Sequence, residues 1–271
     1  MKLGITTFVT DEGMAPAALA KALEERGFES LFLAEHSHIP VNRETPYPAG
    51  GELGRPYYRA ADPFVALAAA ASVTSTLTLG TGISLLIQRD VIHTANSVAS
   101  LSLISGGRVI YGVGVGWNRE EMRNHGTDPR TRGALMDEQI RALREIWTKE
   151  QAEFHGKYVD FDPIFAWPKP YGVLPIYIGG NSDVAAARAN RLGDGWLPNA
   201  LPDPAAVPAQ FAQLGGSGLP VTATSARPDP RVLAAYAEAG AERVTLAIPP
   251  EPAERTLRRL DEFAALVEAY R

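Results

Sequence analysis

The strongest constraint on the fold is a rhythm that repeats along the chain, in which a short apolar run precedes a longer stretch of helical periodicity. We predict eight strands, at residues 3–8, 30–34, 77–86, 109–115, 174–178, 195–197, 221–224 and 244–248. Nearly continuous apolar strands, each followed by a helix, are typical of a parallel sheet buried on both faces. Eight such units predict an α/β fold that closes into a (β/α)8 TIM-like barrel, with an open doubly wound sheet as the alternative.

Helices fill the intervals between these strands. The first contains Leu19 and Leu23 and is expected to end at Gly27, because glycine readily adopts the left-handed backbone that ends helices. The other helices are predicted at residues 63–73, 91–104, 136–147, 183–192, 204–214, 231–239 and 257–267. Residues 1–271 are therefore predicted to form a single barrel domain, a common length for this fold.

Composition excludes several classes of protein. The chain has 31 acidic and 26 basic residues and no prominent basic run, which argues against a nucleic-acid partner. It contains no cysteine, which excludes thiolate catalysis, disulfides and cysteine-ligated metals. Apolar stretches are too short for a membrane span, and the amino terminus enters a strand pattern without room for a signal peptide. We therefore expect a cytoplasmic protein that acts on a small molecule.

Two predicted loops are too long to be simple connectors. One covers residues 36–61 and is rich in proline and glycine, and the other covers residues 153–170 and is rich in aromatic residues. Long loops in compact domains usually have a function. We expect the second loop to cover the active site as a lid.

Active sites of such barrels lie at the carboxyl ends of the strands. The second predicted strand is followed by Glu35, His36, Ser37 and His38. His36 is a candidate proton donor or acceptor near neutral pH. The spacing of His36 and His38 also suits a metal, which makes a metal-dependent hydrolase an alternative from a different class. We predict no metal site, because the ends of the fifth, sixth and eighth strands offer no further histidine or aspartate.

Glycines punctuate the third and fourth predicted strands, at positions 80, 82, 112, 114 and 116. Glycine within a strand often marks a bulge or the close approach of a ligand. We expect no helix directly behind the last of these glycines, so the dinucleotide-binding fingerprint does not apply. The glycines are expected to leave space for a flat ring bordered by Trp117 and Asn118, with a simple strand-end bend as the alternative.

The fifth unit joins a strand to a helix through Gly179, Gly180, Asn181 and Ser182, here called the GGNS loop. Two glycines, a helix-capping residue and a strong helix former create an anion site from backbone N–H groups and the helix dipole. An ordinary turn with a good cap would have the same sequence. Spacing alone does not distinguish the two.

These motifs together resemble the bacterial-luciferase-like oxidoreductases, particularly the short members that use the deazaflavin coenzyme F420. The resemblance is carried by residues 27–36, 79–83, 104–109, 112–118, 176–182 and 193–196. It implies a usually dimeric barrel that transfers hydride to or from a small organic substrate with F420. The alternative is an FMN-dependent monooxygenase supplied with reduced cofactor by a separate reductase.

The resemblance also implies roles for individual residues. It places the cofactor phosphate on the GGNS loop, a non-prolyl cis peptide near Gly82 and Ile83 beneath the ring, and His36 near the reactive face. The full set expected to bind the cofactor is Glu35, His36, Thr81, Gly82, Ile83, Gly114, Gly116, Trp117, Asn118, Gly179, Gly180, Asn181 and Ser182.

One departure concerns the catalytic acid. Some deazaflavin dehydrogenases have a glutamate directly after the fourth-strand glycines, where this chain has Trp117, with Glu120 and Glu121 slightly later. This argues against a sugar-phosphate dehydrogenase. We take His36 and Glu120 as the catalytic candidates.

Overall fold

The computed structural model describes residues 1–270, and within them eight parallel strands form one sheet while two further strands form a hairpin. The strands are β1 (Lys2–Thr7), β2 (Ser30–Leu33), β3 (Thr78–Thr81), β4 (Val109–Val113), β5 (Gln151–His155), β6 (Asp160–Phe165), β7 (Ile176–Gly179), β8 (Gly195–Leu197), β9 (Thr222–Ala226) and β10 (Arg243–Ala247). The order in the sheet is β8-β7-β4-β3-β2-β1-β10-β9.

The two edge strands of this sheet also meet each other. Trp196 N donates to Pro220 O at 3.0 Å, and Thr224 N donates to Pro198 O at 2.8 Å. These bonds bring β8 against β9 and leave the barrel nearly closed. The predicted (β/α)8 barrel is confirmed, and the open doubly wound sheet is not formed.

Helices surround the barrel and connect successive strands. They are α1 (Pro16–Glu25), α2 (Pro63–Ala71), α3 (Val91–Ser105), α4 (Arg119–Asn124), α5 (Arg132–Thr148), α6 (Asp183–Leu192), α7 (Val207–Ala212), α8 (Pro230–Glu238) and α9 (Ala253–Ala269). Acidic and hydroxyl side chains cap several starts; Asp62, for example, accepts from Phe64 N at 2.8 Å. None of the helices among residues 1–270 is long and apolar enough to span a membrane.

The apolar core has two parts. The larger lies between the strands and the helices and includes Leu31 and Leu33 of β2. The intervening residue Phe32 points to the other face, where it joins Ile110, Tyr177 and Leu197 in a small cluster inside the barrel. Ile83 packs against this inner cluster. The barrel interior is therefore filled with side chains, and ligands have access to its mouth only.

The third strand is shorter than the sequence predicts. It ends at Thr81, and the chain then bulges toward β4, where Ser84 N donates to Gly112 O at 2.8 Å. The predicted strand at 77–86 is therefore wrong beyond Thr81. Gly82 and the side-chain contacts of the bulge end the strand, although the sequence after Thr81 continues as an apolar run.

A further correction concerns the segment after β4. Helix α4 opens directly behind the fourth-strand glycines, because Asn118 caps it by accepting from Glu121 N at 3.3 Å. The expectation of no helix there is wrong. The dinucleotide-binding fold is still excluded, because the sheet is a barrel.

The aromatic segment 153–170 is also different from its prediction. It contributes to the antiparallel hairpin of β5 and β6, which packs on α5, where Glu138 Oε2 accepts from Tyr158 N at 2.7 Å. None of its described residues lines the cavity at the barrel mouth defined below. The predicted lid is therefore not found.

Candidate active site

A cavity of about 300 Å³ lies at the carboxyl ends of β1, β2, β3 and β10, and we call it the ring-side cavity. Its lining includes Thr7, His36, Tyr57, Ile83 and Trp117. Most walls are apolar or aromatic, with a few polar groups, as is typical of small-molecule sites. Its position agrees with the barrel rule on which the strand-end residues were selected.

His36 is held in this cavity by Glu121. The two side chains are buried, and His36 Nδ1 lies 2.8 Å from Glu121 Oε2. A carboxylate can only accept, so Nδ1 is the donor, and this fixes the imidazole orientation. Nε2 has no hydrogen-bond partner among the described residues and is the nitrogen available to a ligand.

Glu35 organises the bulge that follows β3. Its Oε2 accepts from Ser84 Oγ at 2.7 Å and from Leu85 N at 2.8 Å, and its Oε1 pairs with Arg89. Burial alone would lower the pKa of Arg89, but the carboxylates of Glu35 and Asp62 outweigh it and raise that pKa. Glu35 lines the cavity, yet both oxygens are occupied by protein groups. It therefore positions the cavity wall.

Aromatic rings surround His36. The ring centroid of Tyr57 lies 5.2 Å from that of His36, and that of Trp117 lies 5.8 Å away. Phe8 contacts Tyr57 at 4.9 Å, and Tyr57 Oη bonds to Tyr47 Oη at 2.9 Å. Burial and this bond raise the pKa of Tyr57, which keeps the phenol neutral. These rings restrict the approach of water to the imidazole.

Ile83 lines the ring-side cavity and packs on the inner cluster of the barrel, so it forms the floor of that cavity. The peptide between Gly82 and Ile83 is cis, as the resemblance implies. A Cβ at Gly114 would lie 2.3 Å from Ile83 Cδ1, and one at Gly179 would lie 2.5 Å from Ile83 Cγ2. Glycine at 114 and 179 therefore makes room for Ile83. That Gly114 also leaves space for the ring stays a prediction.

A second cavity of about 490 Å³ lies beside the GGNS loop, and we call it the loop-side cavity. Its lining includes Gly179, Gly180 and Ser182 together with the start of α6. Arginines at positions 130, 132 and 188 complete it, and no carboxylate belongs to its described lining. Arg188 pairs with Asp137 at 2.6 Å and Arg130 with Asp128 at 2.6 Å, whereas Arg132 forms no ion pair with a described residue. A helix start beside an unpaired guanidinium group favours an anion.

The GGNS loop is held by its own contacts. Ser182 Oγ accepts from Ala185 N at 3.2 Å and caps α6. Asn181 is turned toward β8, since its Nδ2 donates to Asn199 O at 3.0 Å and its Oδ1 accepts from Asn199 N at 2.7 Å. Gly180 has φ +116°, a conformation that favours glycine. Asn181 therefore links the two cavities through Asn199, which lines the ring-side cavity.

Three predicted residues lie elsewhere. Glu120 is outside the ring-side cavity: its Oε2 accepts from Thr45 N at 3.4 Å, and Arg123 lies 3.5 Å from Oε1. Burial raises the pKa of Glu120, but the hydrogen bond from Thr45 and the Arg123 charge lower it overall. Asn118 is the cap of α4 instead of a cavity wall, and Thr81 Oγ1 donates to Gly112 O at 2.7 Å.

The two histidines of the predicted pair have different partners. His38 Nδ1 bonds to Ser37 Oγ at 2.9 Å, and Ser37 Oγ bonds to His125 Nε2 at 2.7 Å. Burial and the neighbouring His38 lower the pKa of His125. Residues 1–270 contain no group of three histidine, aspartate or glutamate side chains that could hold a metal. The arrangement gives the metal-dependent hydrolase no support.

Sequence reasoning missed Glu121, the buried partner of His36, and several lining residues of the ring-side cavity, among them Tyr57. Glu121 follows the cap residue Asn118 by three positions, and this spacing is a signal for a glutamate in the first turn of a helix. Tyr57 lies in the long loop 36–61, in a pair of adjacent tyrosines. Arg89, the partner of Glu35, carried no signal, because its role depends on a contact across the barrel mouth.

The two cavities together fit a flavin-type cofactor. Such a cofactor has a flat ring at one end and a phosphate at the other. The ring-side cavity offers aromatic walls and an imidazole nitrogen, while the loop-side cavity offers cationic groups and a helix start. Gly116 lines the first cavity and its neighbour Val115 lines the second.

The sequence matches the profile of the luciferase-like monooxygenase family over residues 13–215, and the chain belongs to this family. An uncharacterised protein of Mycobacterium tuberculosis is 36% identical over 98% of each chain. An F420-dependent glucose-6-phosphate dehydrogenase of Nakamurella multipartita is 31% identical, over 67% of this chain and 50% of its own length. Relatives at about 30% identity include F420-dependent dehydrogenases.

Solved structures agree on the fold. An F420-dependent secondary alcohol dehydrogenase with an F420–acetone adduct superposes with a TM-score of 0.76 at 20% identity, covering 100% of both chains. The oxygenating component of 3,6-diketocamphane monooxygenase from Pseudomonas putida, in complex with FMN, has a TM-score of 0.65 at 18% identity, covering 83% of this chain and 66% of that one. At these identities the likeness concerns the barrel alone.

Proposed function

We propose that the protein is an F420-dependent oxidoreductase that transfers hydride to or from a small organic substrate. The observation that carries this proposal is the arrangement of His36 and Glu121 at one end of the barrel mouth and the GGNS loop at the other. The F420-dependent relatives support the choice of deazaflavin over FMN. The deazaflavin, when bound, supplies the two-electron chemistry.

The protein's own side chains bind and orient the cofactor and the substrate, and they exclude water from the site. Ile83 would hold the ring, and Trp117 and Tyr57 would exclude water from His36. Ser182 and the first backbone N–H groups of α6 would hold the phosphate. His36 Nε2 donates or accepts the proton that accompanies the change in the substrate, and Glu121 holds the imidazole in the orientation for this transfer.

Titration of the purified protein with F420 and with FMN tests the proposal. We expect F420 to bind and FMN to bind at least about tenfold more weakly, a difference of about 1.4 kcal/mol. Fluorescence of the two ligands reports both affinities. Tight binding of FMN without binding of F420 would favour the FMN-dependent monooxygenase instead.

The proposal extends to assembly and location. We place the enzyme in the cytoplasm as a homodimer; a separate reductase would supply reduced cofactor in the FMN-dependent alternative. Support for a partner copy comes from large exposed apolar side chains, namely Ile104, Phe165, Trp167, Tyr171 and Val173. Light scattering at micromolar concentration checks the dimer, and a monomer would contradict it.

A further inference from the structure

A wide cleft on the surface lies beside α4, next to the loop-side cavity. It has a volume of about 860 Å³, and its described lining contains Arg119, Arg123, Arg130 and Arg132 but a single carboxylate, Asp128. We call it the arginine cleft. Four cationic groups face one anionic group here, although the chain as a whole has a net charge of −5. Such a local reversal of sign attracts an anionic ligand.

The guanidinium groups are largely free. Arg119 and Arg123 are exposed and lie four residues apart, on the same face of α4. Neither Arg119 nor Arg132 forms an ion pair with a described residue. Arg123 lies 3.5 Å from Glu120, and Arg130 pairs with Asp128 at 2.6 Å. At least two charges of the cleft are therefore not neutralised by the protein.

A second arginine-rich surface, on α9, provides a contrast. There Arg258 pairs with Glu254 at 3.3 Å, and Arg259 pairs with Glu251 at 3.0 Å. Glutamates thus balance the arginines at that surface. Both surfaces have clustered arginines. The arginine cleft differs because it lacks the carboxylates that would balance them.

The arginine cleft adjoins the loop-side cavity, because Pro129, Arg130 and Arg132 line both. An anion bound at the GGNS loop can therefore extend into the cleft. FMN ends at its phosphate, whereas F420 continues beyond its phosphate into a chain of glutamates. We infer that the arginine cleft binds this polycarboxylate chain of F420, an inference that rests on the proposed function.

This assignment has a defined physical consequence. Ion pairs with exposed arginines are weak individually and are screened by salt. The glutamate chain should therefore add a modest, salt-sensitive increment to the affinity for F420, without changing how the ring or the phosphate binds. Arg119 and Arg123 line the cleft but not the loop-side cavity. Substituting them therefore tests the contribution of the glutamate chain to binding independently of the contribution of the phosphate.

Fluorescence titration with two forms of the cofactor tests the inference. One form carries several glutamates and the other, F420-0, carries none. The proteins are the wild type, R119Q/R123Q, and the control R255Q/R258Q on α9, which loses the same charge from a region outside the cleft. Thermal unfolding checks that all three are folded equally well.

We expect the wild type to bind the glutamate-bearing form about tenfold more tightly than F420-0 at low salt, from a few exposed ion pairs. In R119Q/R123Q this ratio falls to about twofold, while the affinity for F420-0 stays the same within about twofold. The control keeps the wild-type ratio, and high salt removes the difference in all three proteins.

Other results overturn the inference. Equal binding of both forms by the wild type, or an unchanged ratio in R119Q/R123Q, overturns it and leaves the proposed function standing. A ratio lowered equally in the control indicates a general effect of net charge and also overturns it. Binding of neither form overturns the proposed function and this inference together.

Discussion

The two cavities at the barrel mouth are built in different ways. The ring-side cavity depends on buried polar side chains that contact one another over long sequence distances, as His36 and Glu121 do at a separation of 85 residues. The loop-side cavity depends on glycine conformations and a helix start within one short segment, the GGNS loop. Function of the ring-side cavity is therefore expected to be sensitive to substitution of those side chains. Function of the loop-side cavity is expected to be sensitive to changes in local backbone contacts.

The largest effect is expected from the imidazole pair. Replacing His36 with Asn, or Glu121 with Gln, should lower kcat by about 100-fold or more, because proton transfer loses its group or its orientation. F420 affinity should change by less than about threefold, since the phosphate end provides much of the binding. The assay follows F420 absorbance with the best substrate from a panel of alcohols, ketones and enones.

Glu120→Gln is the matched control for Glu121→Gln. It removes the same charge one residue away, outside the cavity, and should lower kcat by no more than about threefold. An equal loss in both variants would restore Glu120 as the catalytic carboxylate.

The next effect concerns stability of the ring-side cavity. Glu35→Gln removes the charge that faces the partly buried Arg89 and should lower the free energy of unfolding by about 3 kcal/mol, because Arg89 loses its closer partner. Urea denaturation measures the change. Glu254→Gln breaks the exposed pair with Arg258 and should cost about 0.5 kcal/mol or less; similar losses for both would mean that burial of the Glu35 pair contributes nothing.

A smaller effect is expected at the floor of the ring-side cavity, which Ile83 forms. Gly114→Ala places a methyl group 2.3 Å from Ile83 Cδ1 and should displace Ile83 toward the ring. Such overpacking costs about 1–3 kcal/mol, so F420 binding should weaken by about tenfold. In Gly54→Ala the nearest atom is Pro56 Cδ at 3.5 Å, and affinity should not change. Unchanged F420 affinity in Gly114→Ala would mean that Ile83 does not contact the cofactor.

The smallest effect distinguishes the GGNS loop from an ordinary helix cap. Ser182→Ala and Asp229→Ala each remove the cap of one helix, α6 or α8, and each should lower stability by about 1 kcal/mol. Only Ser182→Ala should also weaken F420 binding, by about threefold to fivefold, because the contact with the phosphate is lost. If neither variant alters F420 affinity, Ser182 is a structural cap alone.

The parts of the fold that sequence predicts are those with local or strongly repeated signals. Each barrel strand is buried on both faces and so appears as an apolar run, and closure follows from the number of runs. The GGNS loop is likewise local. Its geometry was predictable because the strand, glycines, cap and helix are consecutive in the chain.

The parts that escaped prediction depend on contacts between distant segments. Glu120 and Glu121 are alike in sequence, and the turn of about 100° per residue in α4 places only Glu121 against His36. Arg89 is 54 residues from Glu35, so nothing near it indicates their pairing. The bulge after Thr81 likewise follows from Glu35, which binds the backbone of Leu85.

A crystal structure of the protein with F420 tests the central claim most directly. The account predicts the deazaflavin ring between Ile83 and His36 Nε2, with the phosphate within hydrogen-bond distance of Ser182 and the first backbone N–H groups of α6. A ring that does not contact His36, or a phosphate bound away from the GGNS loop, would contradict it.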